Sequence, residues 1–340
     1  MVLNEYLAEY PKKIEDEIEK FLNEKKNNAI DDKIKEVIEI IEEYTLRGGK
    51  RLRPILMIIG YKLYGGKDEK EIIKAASSIE LIQSYLLIHD DIIDDSDLRR
   101  GKPTLHKIYE KIYGDKKFGE SMAIIAGDLS SVFAQEILDQ TNFPVEKKYM
   151  AMVKMAEIVE ETGYGQVLDV TSLYRENFGE DELLLLHTYK TAKYTLEGPL
   201  IMGAILAGGE NFSMITNYSI PVGIAFQLQD DVLGLYGSEE KIGKPVTSDL
   251  EEGKKTLLMI KAMEDAGNKE KISKILGKKN ITIEELELVR KIVKESGALD
   301  YTYSRAKDLV HRGIKAIEPI NTDEKIFLKE FADYVIKRNF

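Results

Sequence analysis

Apolar residues recur at spacings of three and four along nearly the whole chain, and the strict alternation of half-buried strands is scarce. Within residues 1–26, Ile14, Ile18, Phe21 and Leu22 fall on one side of a charged amphipathic helix, with no apolar signal-peptide core. Asp68, followed three residues on by Glu71, reads as a helix start; Ile72, Ile73, Ala76, Ile79, Ile82 and Leu86 then carry an apolar stripe toward Asp90. Thr282 and Glu285 repeat that signature before Ile283, Leu286, Val289 and Val293, with Gly297 as the stop. Short loops are marked by Gly65-Gly66, Gly101-Lys102-Pro103, Gly208-Gly209 and Gly243-Lys244-Pro245. No linker rich in Gly, Pro or Ser divides the chain. The pattern predicts an all-α fold over residues 1–340 as one domain, with roughly ten to thirteen helices.

Composition narrows the partners. Apolar residues make up 43% of 340, enough for a large core, and only eight prolines interrupt it. The net charge is −11, from 49 basic and 60 acidic residues, and no basic stripe runs along a face, which argues against nucleic acid. An anionic ligand must therefore be drawn in by local positive clusters or bridged by cations. The absence of cysteine excludes disulfides and thiolate metal sites. No run approaches the eighteen apolar residues of a membrane span, so no transmembrane segment and a cytoplasmic location are expected.

Two acidic clusters lie 140 positions apart, His89-Asp90-Asp91-Ile92-Ile93-Asp94-Asp95 and Gln227-Leu228-Gln229-Asp230-Asp231. Asp90 and Asp94 are one helical turn apart and share a face, where they repel unless a cation sits between them. Hard oxygen donors of this kind suit Mg²⁺, which completes its shell with water and substrate phosphates. Asp91 is offset around the helix and could join a second metal or hold water. A lone pair of this spacing is ordinarily a solvated acidic face. This one directly follows Tyr85-Leu86-Leu87-Ile88, an apolar run where carboxylates are not normally placed.

Arg99 and Arg100 follow the first cluster and match phosphate oxygens in fork geometry. Upstream, Gly48-Gly49-Lys50-Arg51-Leu52-Arg53-Pro54 combines glycines that let backbone amides approach an anion with the charges of Lys50 and Arg53. It lacks the spacing of a nucleotide-binding P-loop. His89 abuts the acidic cluster but points about 100° away from Asp90, a structural position. His106 reads as packing or ordering of the arginine loop, and His187 and His311 have no motif context.

In order, GGKRLRP, Gln83, DDIID, RRGKPT, GQVLD, KTAKY, FQLQDD and GKPVTSD resemble the trans-isoprenyl diphosphate synthases, the farnesyl and geranylgeranyl diphosphate synthase family, from about Gly48 to Thr256. The resemblance implies a helical bundle of the isoprenoid synthase type with a central active-site cavity. It implies that Asp90, Asp91 and Asp94, with Asp230 and Asp231, hold three Mg²⁺ ions on an allylic diphosphate. It assigns Lys50, Arg53, Gln83 and Arg100 to isopentenyl diphosphate, and Arg99, Lys190, Lys244 and Lys254 to the allylic diphosphate. Thr191 and Gln227 would stabilise the developing carbocation with the Lys190 carbonyl, and Gln166 and Asp169 would line the same pocket. The second motif departs from the full DDxxD pattern, because Gly234 holds its fifth position, as in archaeal-looking members. That leaves open how the third metal is held.

The same resemblance places Tyr85 and Leu86, five and four positions before Asp90, on the wall that meets the growing tail. One aromatic at the fifth position and no insertion in DDIID point to a C20 product, with C15 as a co-product; the plainer reading of Tyr85 is a core aromatic. A homodimer is the family expectation. A terpene cyclase is disfavoured by the GGKRLRP segment and by the second motif, and a catalytically silent partner subunit by the presence of both acidic motifs. A further expectation is that the basic end, Lys337-Arg338-Asn339-Phe340, closes over the diphosphates.

Overall fold

The computed structural model describes residues 2–175, 177–237 and 245–337. The chain clusters into two compact units, Met1–Glu157 with Gly198–Phe212, and Ile158–Glu197 with Ser213–Phe340. Both are helical, as the periodicity predicts, and the one sheet among the described residues is a two-stranded hairpin.

In the first unit, α1 (Val2–Asn27) buries Ile14, Ile18, Phe21 and Leu22, the face read from the sequence. It is followed by α2 (Asp32–Thr45), α3 (Leu52–Leu63) and α4 (Glu69–Ile93). Asp68 caps α4 by accepting from the Glu71 amide at 3.1 Å. The Glu71 carboxylate does not close the reciprocal capping box; it turns to Asn142, accepting from its backbone N at 2.7 Å and its side-chain amide at 2.9 Å. Helix α3 is the centre of this unit, with Ile55 to Ile59 fully buried. Its inner face lies backbone to backbone against α9 (Gly198–Ala207): a Cβ on Gly60 would lie 2.0 Å from the Leu200 carbonyl oxygen, and one on Gly203 1.9 Å from that of Met57. Only glycine permits that approach, and it locks the returning segment 198–212 into the first unit.

Helix α6 (Lys116–Asp139) packs along α4, and α5 (Leu105–Tyr113) packs on α6. Helix α6 is, among the described helices, the one long and apolar enough to cross a membrane, with mean hydropathy 1.2 and 44% of that stretch buried. It buries Ala123, Ala126, Phe133, Ala134, Ile137 and Leu138 on one face and exposes Ile124, Ile125 and Val132 on the other.

Helix α7 (Val145–Ser172) begins in the first unit and ends in the second. The second unit continues with α8 (Glu180–His187), a wide π-helical segment (Thr188–Glu197) and α10 (Ser213–Tyr236). Helix α10 is its spine, packing along Ala298–Ala316 and Glu324–Lys337; the fully buried Tyr218 donates its hydroxyl to the Leu328 carbonyl at 2.7 Å. A satellite core joins Val232 and Leu235 to Leu258, Leu286, Val289 and Val293. Thr282 and Glu285 form the full reciprocal capping box, and Gly297 takes the left-handed conformation expected of a helix stop, with φ 78°.

Candidate active site

In the first unit the site grows from the C-terminal end of α4. Asp94 caps the helix, its amide donating to the Asp90 carbonyl at 2.9 Å, so Asp90 and Asp94 stand one turn apart at a half-buried helix end. Asp91 faces inward. It is fully buried, with Oδ2 accepting from the Tyr44 hydroxyl at 2.6 Å and Oδ1 accepting from Arg99 Nε at 2.8 Å. Arg99 Nη2 also lies 3.5 Å from Asp90 Oδ2. Burial pushes the Asp91 carboxyl up, and Arg99 and Tyr44 offset that only in part. Burial also disfavours the Arg99 charge, but Asp91, Tyr44 and Asp90 outweigh it and hold the guanidinium protonated. Both Asp91 oxygens are engaged, by Arg99 and by the Tyr44 hydroxyl, and the helix offsets Asp91 from Asp90.

The RRGKP segment is a hairpin, with Leu98–Arg99 paired antiparallel to Lys102–Pro103. Its two turn residues, Arg100 and Gly101, have φ of 55° and 73°, the positive pair of a type I′ turn. This turn separates the arginines. Arg99 points into the acidic helix end, while Arg100 reaches the upstream glycines and donates through Nη1 to the Gly48 carbonyl. Gly48 and Gly49 have φ of 90° and 128°, and a Cβ on Gly49 would press to 3.2 Å from Arg100 Nη2, so glycine is required here for geometry and clearance. Arg51 and Asp95 also hold left-handed φ, 49° and 50°, which places three of the four such non-glycine residues among the described ones at this site.

The four positively charged residues of the cradle divide by direction. Arg51 is buried as a structural ion, bonded through Nη1 to Glu80 at 2.7 Å and through Nε and Nη2 to Glu15 at 3.0 and 2.9 Å. Lys50 and Arg100 are exposed and Arg53 is half-buried. Gln83 on α4, its amide oriented to donate to Glu80 Oε1 at 3.0 Å, accepts from Arg53 Nη1 at 3.2 Å. Although Arg100 keeps solvent contact, partial desolvation of its guanidinium in the recess pulls it below its ordinary value, and Arg51 and Arg53 add to this against Glu80 and Tyr44. A dianion would relieve that crowding of positive charge. Tyr44, Arg51, Glu80, Gln83, Arg99 and Arg100 line one narrow polar recess, bringing three of the sequence-predicted residues together.

Just upstream on α4, Tyr85 is half-buried with its ring edge-on to His89, centroids 4.8 Å apart. Leu86 is also half-buried. His89 turns away from the carboxylates toward α6, with Nε2 3.2 Å from the Ile124 carbonyl and 3.7 Å from Asp128, the structural position its helical phase predicts. His106 is buried and its ring nitrogens have no hydrogen-bond partner, as packing rather than loop ordering requires.

The second unit holds a hydrogen-bonded relay. Thr191 donates to Gln227 Oε1 at 2.8 Å, and Gln227 Nε2 donates to Asp231 Oδ1 at 2.9 Å. Asp231 Oδ2 is buried without a hydrogen-bond partner and lies 3.3 Å from Nε2 of the buried His187. Lys190, beside Thr191 on the π-helical segment, pairs with Asp169 on α7, where Gln166 is half-buried one turn earlier. Wide helical turns of this type recur at functional sites, because the extra residue re-aims its neighbours. Asp230 is half-buried on α10 next to Asp231, and the helix continues past both to Tyr236 rather than ending at the motif. Lys254 lies 3.4 Å from Asp249 and 2.5 Å from Glu252. Lys244, like Arg338 to Phe340 at the basic end, falls outside the described residues.

Tyr44 and His187 adjoin motif residues to which spacing alone does not link them. Tyr44 and His187 carry no motif signal, and only folding brings them to Asp91 and Asp231.

The carboxylates of Asp90 and Asp94 in the first unit, and that of Asp230 in the second, are hard oxygen donors of the kind that suit a divalent cation. A carboxylate-bearing helix end beside an arginine cradle suits a polyanionic ligand bridged by cations, and likeness to known proteins gives the family. The polyprenyl synthetase model matches residues 34–294, and the chain belongs to that family. It is a prenyltransferase, a short-chain trans-prenyl diphosphate synthase. A geranylgeranyl diphosphate synthase of Saccharolobus solfataricus is 33% identical, over 95% of this chain and 98% of that one. A geranylfarnesyl diphosphate synthase of Aeropyrum pernix is 35% identical, over 86% and 91%. A solved geranylgeranyl pyrophosphate synthase of Corynebacterium glutamicum, complexed with isoprenyl diphosphate and magnesium, has a TM-score of 0.91 at 29% identity, covering 98% of this chain and 99% of that one.

Proposed function

We propose that the enzyme condenses isopentenyl diphosphate with dimethylallyl, geranyl or farnesyl diphosphate to make geranylgeranyl diphosphate, with farnesyl diphosphate as co-product. The observation that carries this reading is the Asp90/Asp94 pair at the C-terminal end of α4, with Arg53 against Gln83 about two turns earlier on the same helix and Arg100 against Gly48. Two anion sites of different chemistry suit two diphosphate substrates. Asp90, Asp91 and Asp94 in the first unit and Asp230 in the second are the residues that would hold up to three Mg²⁺ ions, which supply charge neutralisation of the leaving diphosphate. Lys50, Arg53, Gln83 and Arg100 bind the isopentenyl diphosphate and orient its double bond. Arg99, Lys190, Lys254 and Lys244 bind the allylic diphosphate and neutralise it as the C–O bond breaks. Thr191 and Gln227 present oxygen dipoles to the allylic cation; the relay to Asp231 fixes the Gln227 amide with its carbonyl toward Thr191. No side-chain base is required, because released diphosphate takes the proton lost after alkylation.

The family match across residues 34–294 spans both compact units, which supports treating them as one synthase domain. The exposed Ile124, Ile125 and Val132 of α6, and Val145, Tyr149 and Met150 of α7, support a homodimer built on these helices. Replacing Asp90 by Ala tests the metal reading: turnover with geranyl diphosphate should fall below detection, and near-normal turnover would reject it.

A further inference from the structure

We propose that His89 is a positioning residue for Tyr85, seated in a notch that Gly127 leaves on α6, so that α4 and α6 together, and not Tyr85 alone, set product length. This deepens, and rests on, the reading above, in which Tyr85 meets the growing tail. Tyr85 and His89 stand one turn apart on α4 and share a face. Their rings meet edge to face, with centroids 4.8 Å apart and planes at 67°. Tyr85 is only half-buried, and the imidazole is the ring packed against it.

The imidazole is itself held by α6. Its Nε2 lies 3.2 Å from the Ile124 carbonyl, which can only accept, so that nitrogen carries the proton and donates. Asp128 Oδ1, 3.7 Å from the same nitrogen, favours the same orientation. Gly127 is buried in the interior of α6 and has no positive φ. The backbone therefore does not require glycine there, and alanine would be the better helix former. What requires it is the ring: a Cβ on Gly127 would lie 2.5 Å from His89 Nε2 and 2.6 Å from its Cδ2. The atoms in the way belong to a side chain and not to backbone, so a methyl group at 127 moves the imidazole and leaves α4 and α6 packed. Pushed off α6, the imidazole presses on Tyr85. Removed, it lets Tyr85 settle toward α6 and opens the wall.

The test is the ratio of C20 and longer alcohols to C15 alcohol that the full-length protein makes from geranyl diphosphate and radiolabelled isopentenyl diphosphate with Mg²⁺. The Michaelis constant for isopentenyl diphosphate and a thermal melt accompany it for each variant. The ratio is read within one reaction, so it holds where total turnover falls. His89→Ala should raise it at least about threefold, and Gly127→Ala should lower it by at least about the same factor. Gly127→Ala should also melt within about 2 °C of wild type and keep that Michaelis constant within about twofold, which a general loss of packing would not allow. In H89A/G127A the methyl group meets no ring, so the double variant should match His89→Ala. An unchanged ratio in either single variant would overturn the proposal. So would a Gly127→Ala shift that persists in full without His89, because the methyl group would then act elsewhere. A wild type that makes no product would bring down the functional reading, whereas a productive wild type whose ratio Tyr85→Ala leaves unchanged would bring down this proposal alone.

Discussion

Replacing Arg51 by Met tests whether the basic segment at Gly48 to Pro54 divides into a structural arginine and ligand-binding neighbours. Arg51 is about 1% exposed in its side chain and is matched by Glu80 at 3% and Glu15 at 27%. Burial works against its charge, yet the two carboxylates hold the guanidinium above its ordinary value. Methionine preserves much of the volume and leaves Glu80 a buried charge without its main partner, a loss of about 3–5 kcal/mol. At about 1–2 °C per kcal/mol for a chain of this length, the thermal midpoint should fall by roughly 3–10 °C. The Michaelis constant for isopentenyl diphosphate, measured on the folded fraction, should stay within about threefold. Because removing both charges avoids the orphaned carboxylate, R51M/E80L should recover most of the midpoint. Lys50→Ala should show the opposite pattern, with an unchanged midpoint and a rise of about 10–100-fold in that constant, as expected for one charge-assisted contact of about 1.5–3 kcal/mol. A cool-melting R51M that also loses isopentenyl diphosphate selectively, or an R51M that melts like wild type, would refute the division.

Tyr85→Ala should shift products upward by at least one five-carbon unit on chromatography of the dephosphorylated alcohols; an unchanged distribution would return Tyr85 to a packing role against His89. His187→Leu removes the group facing Asp231 and should lower kcat about 10–100-fold, as losses of supporting partners around a metal-binding carboxylate do. His187→Gln, which can present a donor at the same reach, should recover at least part of it, while the Michaelis constant for isopentenyl diphosphate stays constant. Equal losses in both variants would mean that His187 serves packing alone.

Helices were legible because their signals are local. The apolar stripe of α1, the Thr282–Glu285 capping box and the Gly297 stop each depend on residues within a turn or two. The Arg99–Arg100 hairpin was visible only as a loop, because two positive φ angles, one on an arginine, are not implied by the residue types alone. The division of labour within each motif was less legible still. Asp91 and Arg51 sit inside acidic and basic clusters that look uniform in sequence, and only the fold buries them, against Tyr44 and against Glu80 and Glu15, while their neighbours stay partly exposed. His187 and Tyr44 could not be found from spacing, since their partners lie 44 and 47 positions away.

The most direct test of the central claim is a product assay with radiolabelled isopentenyl diphosphate, Mg²⁺ and dimethylallyl, geranyl or farnesyl diphosphate as primer, run beside a chelated control. The account predicts label in C20 alcohol after dephosphorylation, with C15 from the shorter primers and none without metal. No incorporation from any primer would contradict it and make the chain a silent subunit that needs a partner.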